Sequence, residues 1–427
     1  MIEATFAVGF LILLLVFGVP MLVAIMSAVI MSFVLAGSWG VTLPQMMISG
    51  MSLFMLLALP MFILAGNIMN AGGLSGRLFE FARSCVGWMR GGLAQVDVLL
   101  SIFFGGMVGS SSADLASTGT IVIPAMKREG YSPEFAASVS ASSSGIGPLI
   151  PPSSPMILYS AITGTSLGAL FLAGLIPGLM LGVLLMAAVG FIARRRGWKA
   201  FAPFLWADFF FTFRRAILSF GMPILLVIGL TIGIFTPTEG AAFAVGYAVL
   251  LCCFVYRSLS VKDLYRVIGN AVQMTGELTL IVSLSFALGS GFASLHVPQA
   301  IGSLIEAINF GDSQILVLLF LMGLAIIAGM FLDPLIPVLV PIILPTLLAY
   351  NIDLIHFGVL MVMAVVIGQL TPPLAIALII TSRIAQVDQI KIFKENLPFF
   401  FVILACTLLL MLVPSLSTWL PSVSMTR

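Results

Sequence analysis

Charge is scarce in this chain. Only 8% of its 427 residues are Asp, Glu, Lys or Arg, whereas a soluble protein carries about a quarter. With 61% hydrophobic residues, this excludes a soluble domain of any size and leaves a polytopic membrane protein. The formal net charge is +2, and the only basic run is Arg194-Arg195-Arg196, so nucleic acid has nothing to hold. There are two histidines and four cysteines. Cys85, Cys252, Cys253 and Cys406 have no metal or redox spacing and read as small apolar filler. His296 and His356 are expected near the outer face and are not expected to be ligands. No lysine or arginine precedes the first apolar run, which argues against a cleaved signal peptide. Lysine and arginine are also missing from Val267 to Ser382.

What is present is a series of apolar stretches, over 5–36, 51–71, 93–126, 133–164, 167–193, 216–235, 239–256, 270–294, 314–349, 356–382 and 398–420. About 20 apolar residues cross a bilayer. Stretches 93–126 and 314–349 are too long for one crossing, and each has a polar interruption at its middle. That suits two half-helices that enter and leave by one side. Placing the N-terminus inside puts the lysines and arginines on the cytoplasmic face, with only Arg427 outside. This holds if both long stretches are re-entrant hairpins, the first opening inward and the second outward. The acids expected to be exposed in the Lys/Arg-free region, Glu306, Asp312 and Asp353, suit the outer face. The expectation is nine spans and two hairpins, with the N-terminus cytoplasmic and the C-terminus periplasmic. The first stretch is read as one span that tilts or kinks near Gly18–Pro20. Segments 75–92, 199–215 and 257–269 mix apolar, aromatic and basic residues and read as amphipathic surface helices, the last equally as a solvated loop. Trp88, Trp198, Trp206 and Trp419 lie near span ends and read as interface anchors.

The halves of the chain echo each other. Pro151 follows Pro124 by 27 residues, and Pro372 follows Pro345 by 27. Each half has a glycine ahead of an acid in its hairpin, Gly109 with Asp114 and Gly329 with Asp333. Each then has a helix that fails at a G-x-x-x-P-P element, from Gly147 to Pro151-Pro152 and from Gly368 to Pro372-Pro373. With opposite hairpin orientations, these are inverted repeats with broken helices, the plan of secondary transporters.

Irregular backbone inside a bilayer is tolerated only where it is buried or lines a wet cavity. Such breaks supply carbonyl oxygens, which with hydroxyls and carboxylates suit Na⁺, and helix N-termini, which suit a carboxylate. One site combines Ser110, Ser111, Ser112 and Asp114 with Gly145, Gly147, Pro148 and Pro151. The other combines Gly329 and Asp333 with Gly368, Gln369 and Thr371. Ser111, Ser144, Pro151, Ser153, Ser154, Gln369 and Pro372 are the candidate substrate contacts. The serines from Ser138 to Ser143 read equally as close helix packing. Asp114 and Asp333 are membrane-embedded carboxylates, and such groups are functional candidates by default. Helix capping is the bland reading for both, and the same reading is made for Glu239. Asp97 and Glu277 are further embedded acids without an assigned role. With no lysine or arginine deep in any span, a bound anion needs hydroxyls, helix ends and a co-bound cation.

The stretch GSSSADLASTGTIVIPAMKREGYSPEFAASVSASSSGIGPLIPPSSPMILYSAITG resembles the large membrane subunit of tripartite ATP-independent periplasmic (TRAP) transporters. GMFLDPLIPVLVPIILP and GQLTPPLAIAL match that family too, and the resemblance covers nearly the whole chain. It implies an all-α, Na⁺-driven bacterial inner-membrane importer of small organic acids with an elevator mechanism. A mobile part, 93–164 and 314–382, would move past a scaffold formed mainly by 1–50, 167–269 and 398–420, all within one membrane unit. It implies two protein partners, a periplasmic substrate-binding protein and a small four-helix membrane subunit, and no cofactor beyond the coupling ion. The chain is expected to hold the large subunit alone. By the same resemblance, Na⁺ falls on Ser110, Ser112, Asp114, Gly145 and Pro148, and on Gly329, Asp333, Gly368 and Thr371. The second hairpin has MFLD where the first has SSSAD, so the second site leans on backbone oxygens. Sialic acid is the first substrate to suggest itself, with a C4-dicarboxylate or another carboxylate also fitting.

Three other readings stand beside this one. A stand-alone elevator carboxylate carrier would need no binding protein. An intramembrane aspartyl protease would use Asp114 and Asp333 but expects G-x-G-D, which neither hairpin provides. A channel suits two occluded hairpins less well than alternating access does.

Overall fold

The computed structural model describes residues 2–37, 40–308 and 313–424. Asp312 and Arg427, both expected on the outer face, lie outside the described residues. The regular elements among the described residues are helices, with one isolated bridge between Arg90 and Ala200. Six helices there are long and apolar enough to cross a membrane: Phe54–Ala71, Leu167–Arg195, Trp206–Thr231, Pro237–Val255, Val261–Ser294 and Gln389–Leu412. The remaining apolar helices are shorter, and they build the hairpins, the broken helices and the N-terminal pair.

The first hairpin has a leading arm, Gly92–Val108, and a return arm over residues 111–128. The return arm contains a π-helical turn, Leu115–Gly119. Gly109 closes the tip in the left-handed region, φ +61°, a conformation that costs other residues a Cβ clash. The second hairpin has arms Gln314–Gly329 and Leu335–Ala349. The four arms run 15 to 18 residues, at most about 27 Å at the helical rise, against a ~30 Å hydrocarbon layer.

The first broken helix runs Pro133–Ser143, passes through a 3₁₀ segment, Ser144–Leu149, and resumes at Ser154–Thr163. Pro148, Pro151, Pro152 and Pro155 each lack an N–H, so the carbonyls three and four residues upstream lose their helical donors. Ser132 caps the leading half and Ser153 the trailing half, accepting from the Phe135 and Met156 amides. The second broken helix has halves Leu354–Leu370 and Ile376–Ala385, separated by Pro372-Pro373. Pro151–Pro152, Asp333–Pro334 and Pro372–Pro373 are cis.

Packing reproduces the sequence repeat. The trailing half of the first broken helix packs on the return arm of the second hairpin, and the trailing half of the second packs on the return arm of the first. Each trailing half also lies against the leading half of the opposite broken helix. The two repeats are thus interlocked by equivalent contacts, around a core of buried apolar side chains.

Three expectations are corrected. The first apolar stretch is two helices, Ile2–Val16 and Met21–Leu35, which pack on each other. Gly18, φ +74°, ends the first helix with its amide on the Leu15 carbonyl, while Val19 N–H donates to Leu14, and Pro20 then begins the second helix. Such a glycine stop with a following proline reverses a chain rather than kinking it. Segment 199–215 is not a separate surface helix, because Trp206–Thr231 is continuous through it. Segment 257–269 likewise feeds directly into Val261–Ser294, whose start Ser260 caps by accepting from the Asp263 amide. Of segment 75–92, the helix covers Leu74–Val86, and Gly92 already begins the hairpin arm. Leu74–Val86 is amphipathic, with Leu74, Leu78, Phe81 and Ala82 buried. Trp88, Trp206 and Trp419 are exposed, but Trp198 packs against Tyr131 and Phe135 at 4.6 and 4.5 Å between ring centroids. Glu239 caps as expected, through a reciprocal box with Thr236.

Candidate functional site

Both hairpin tips and both breaks border one cavity of about 290 Å³. The first hairpin contributes Ser110, Ser111, Ser112 and Ala113, and the first break contributes Pro148 and Ser154. Asp333 from the second hairpin and Gln369 from the second break face them. The remaining wall comes from two spanning helices, with Asn67 on Phe54–Ala71 and Met274 and Glu277 on Val261–Ser294. Two acids and no lysine or arginine line this cavity.

At the first tip the backbones touch. Ser154 N–H donates to the Gly109 carbonyl at 3.2 Å. A Cβ on Gly109 would fall on the Pro152 carbonyl oxygen, and one on Gly105 would come 2.8 Å from the Gly147 Cα. A Cβ on Gly145 would strike Val366 of the second broken helix. These glycines let hairpin and break interlock without side chains between them. Ser110 and Ser112 hydroxyls lie 3.1 Å apart at the cavity edge. Ser110 provides no side-chain cap, so the amides of Ser111, Ser112 and Ala113 have no intrahelical acceptor and form a positive helix end.

Asp114 sits behind this edge, buried. Thr118 Oγ1 donates to its Oδ1 at 2.9 Å, while Oδ2 is buried without a partner. It does not cap the return arm, which begins at Ser111 with Ser110 as its N-cap residue. A buried carboxylate oxygen without a partner is costly and is the donor a cation would use. Asp97 lies deeper in the leading arm, accepts from Ser140 Oγ at 2.5 Å, and also keeps one unpartnered oxygen.

The second tip repeats the plan with fewer side-chain oxygens. A Cβ on Gly368 would stand 2.5 Å from the Gly329 carbonyl oxygen. Gln369 Nε2 donates to Asp333 Oδ2 at 3.4 Å, and Thr371 Oγ1 to the Ile367 carbonyl at 2.7 Å. A void of about 10 Å³ lies between Gly329, Asp333, Gly368 and Ala375. That is room for one water-sized body. The N-cap residue of Leu335–Ala349 is Pro334, so Asp333 does not cap it.

Of the candidates read from sequence, Ser110, Ser111, Ser112, Pro148, Ser154, Asp333 and Gln369 line the cavity. Gly329 and Gly368 meet at the second junction. Ser144, Gly145, Pro151 and Ser153 are buried in the first break. Ser144 donates to Ala141 O at 2.8 Å and Ser153 to the Pro148 carbonyl, so both hydroxyls serve the break itself. Thr371 and Pro372 form the second break without lining the cavity. His356 lies in the first turn of Leu354–Leu370, with its amide on the capping Asp353. It is buried, with Nδ1 2.6 Å from Ser417 Oγ. Asn67 and Met274 are absent from the sequence reading, because only the fold brings them to the hairpin tips.

The chain matches the family described as tripartite ATP-independent periplasmic transporter, DctM component, over residues 8–416. It is 33% identical over 407 residues to a sialic acid TRAP transporter large permease of Vibrio cholerae, covering 95% of both chains. It is 34% identical over 371 residues to a C4-dicarboxylate TRAP transporter large permease of Pseudomonas aeruginosa, covering 86% of both. The crystal structure of the Alcanivorax borkumensis YdaH transporter shares the fold, with a TM-score of 0.60 at 14% identity and 87% of each chain covered. With that match over nearly its whole length, this membrane protein belongs to the TRAP transporter family as a large permease, the DctM component.

Proposed function

We propose that the chain carries out Na⁺-coupled uptake of a small organic acid across the bacterial inner membrane. The substrate occupies the cavity between the hairpin tips and the wall holding Asn67 and Glu277. Cations sit at the two tip–break junctions, one with Asp114, Ser110, Ser112, Gly145 and Pro148, the other with Asp333, Gly329, Gly368 and Thr371. The supporting observation is the cavity's charge. Glu277 and Asp333 line it without any basic side chain. A carboxylate placed about 5 Å from one such acid is repelled by roughly 3 kcal/mol at an effective dielectric of ~20. Helix ends and hydroxyls offset part of this, and cations at the junctions offset the rest. Anion and cation binding are then coupled, because each lowers the electrostatic cost of the other.

The two interlocked repeats, 93–164 and 314–382, form the moving part. The spanning helices that supply Asn67 and Glu277 form the fixed wall. The relatives' names attach sialic acid and C4-dicarboxylate to similar chains, and a sialic acid or C4-dicarboxylate is the substrate we place here. A periplasmic binding protein delivers it, and a small membrane subunit completes the complex. With the chain reversing at Gly18, the charge pattern supports an N-terminus as well as a C-terminus on the periplasmic side.

Uptake in proteoliposomes tests this. The reconstituted complex with a sialic acid- or dicarboxylate-loaded binding protein should accumulate substrate with an inward Na⁺ gradient and not without one. Accumulation unchanged without Na⁺ would refute the coupling. Equal uptake without the binding protein would instead identify a stand-alone carrier.

A further inference from the structure

A second cleft, about 540 Å³, lies away from the hairpin tips. It is framed by the amphipathic helix Leu74–Val86 and the start of Trp206–Thr231, whose side chains interlock through a 2.8 Å hydrogen bond between the Ser84 and Thr212 hydroxyls. Two guanidinium groups line it from opposite sides. Arg77 stacks on the Tyr256 ring at 3.4 Å, and Arg215 stacks on Phe211 at 4.6 Å. The Tyr256 hydroxyl donates to the Arg215 carbonyl at 3.0 Å, so one tyrosine supports both arginines. Stacking occupies the guanidinium faces and leaves their N–H edges for an acceptor. Arg77 Nη1 is buried and has no hydrogen-bond partner.

The other charges of the lining sharpen the chemistry. Arg83 is engaged by Glu80 at 2.7 Å. That leaves Arg77 and Arg215 against Asp208, a small positive excess that suits one phosphodiester better than a polyphosphate. At the rim, Leu205 and Phe211 are 52% and 59% exposed, and Trp206 and Phe210 beside them are more than half exposed. An aromatic collar beside a basic cleft is how a membrane–water interface is met. A soluble phosphate has no use for that apolar rim, whereas acyl chains do.

We propose that this cleft holds the headgroup of an anionic phospholipid, with Arg77 and Arg215 clasping the phosphate. The lipid braces Leu74–Val86, which packs on the leading arm of the first hairpin, against Trp206–Thr231. It thereby stiffens the connector between a spanning helix and the hairpin.

The test uses the large chain with its small subunit, purified in detergent and examined by native mass spectrometry. Phosphatidylglycerol should bind about tenfold more tightly than phosphatidylethanolamine, the contrast expected of charge-assisted contacts. Arg77→Gln and Arg215→Gln should each lose that preference. Arg83→Gln, in the same cleft but already paired, should keep it, which separates the site from general basicity. Retention of the preference by the Arg77→Gln/Arg215→Gln double variant, or its loss in Arg83→Gln, would overturn the proposal. So would displacement of the lipid by equimolar glycerol phosphate, which would mark a soluble phosphate ligand, or a cleft found covered by the small subunit. The double variant also loses the stacking on Tyr256 and Phe211, so the melting temperature is read as the gain on adding phosphatidylglycerol, which should be large for the parent and small for the double variant. Equal gains in the two would contradict the proposal.

Discussion

Replacing Gly109 by alanine probes the contact between the first hairpin tip and the first break. The added Cβ falls on the Pro152 carbonyl oxygen, with the Ser153 Cα 2.9 Å away, and neither backbone atom can rotate aside. Ordinary contact needs 3.4 Å or more, so tip and break must part by roughly 1.5 Å in an otherwise close-packed region. Alanine at φ +61° costs about 1–2 kcal/mol, and forcing extra volume into packed backbone adds ~1–3 kcal/mol. The seated tip should therefore be at least about 30-fold less populated relative to a lifted one. The hydrogen bond from Ser154 to Gly109 is lost with it, and the Ser110–Ser112 edge moves off the cavity. The assay is initial Na⁺-driven uptake in proteoliposomes, normalised to transporter abundance. Gly130→Ala is the control. It meets the same backbone strain at φ +85° with no atom within 4 Å of its Cβ, so its uptake should stay near the parent's. If Gly109→Ala transports as well as Gly130→Ala, seating of the tip on the break is not needed for transport.

Four further outcomes are expected. Asp114→Asn keeps the shape of the buried carboxyl and removes its charge, so Na⁺-dependent uptake should fall steeply at normal expression. Ser112→Ala should do the same less severely, and unchanged Na⁺ dependence in both would reject the first cation site. Gly368→Ala pushes a methyl group to within 2.5 Å of the Gly329 carbonyl and should raise the Na⁺ concentration needed for half-maximal uptake, with unaltered affinity for the binding protein. Thr236→Ala removes the capping box with Glu239 and should cost about 1 kcal/mol, read as a lower melting temperature with little change in transport.

Much of this architecture is legible in the chain because its breakers are chemically loud. Four prolines between Pro148 and Pro155 cannot sit in one helix, and the matched element after Gly368 repeats the event. Charge placement separates hairpins from spans, since a bilayer tolerates few stray lysines. The first apolar stretch is misjudged because hydrophobicity carries no direction. Gly18 followed by Pro20 is the local mark of a reversal, and a window average smooths it away. Segments 199–215 and 257–269 are misassigned for a related reason. Their basic residues read as ends of helices, yet long arginine and lysine stems can extend from a continuous helix toward water. Asn67 and Met274 are beyond any pattern. They face the hairpins only because Phe54–Ala71 and Val261–Ser294 pack together, a contact between positions about two hundred residues apart, as the Asn67–Met274 pair shows.

The central claim is that anion and cations share the space between two mirror-related interruptions. A density map of the complex with substrate in Na⁺ tests this most directly. It should show substrate between Ser111 and Glu277, with one spherical density beside Asp114 and another beside Gly368, and all three should vanish together when K⁺ replaces Na⁺. Substrate density elsewhere, or substrate that persists in K⁺, would contradict it.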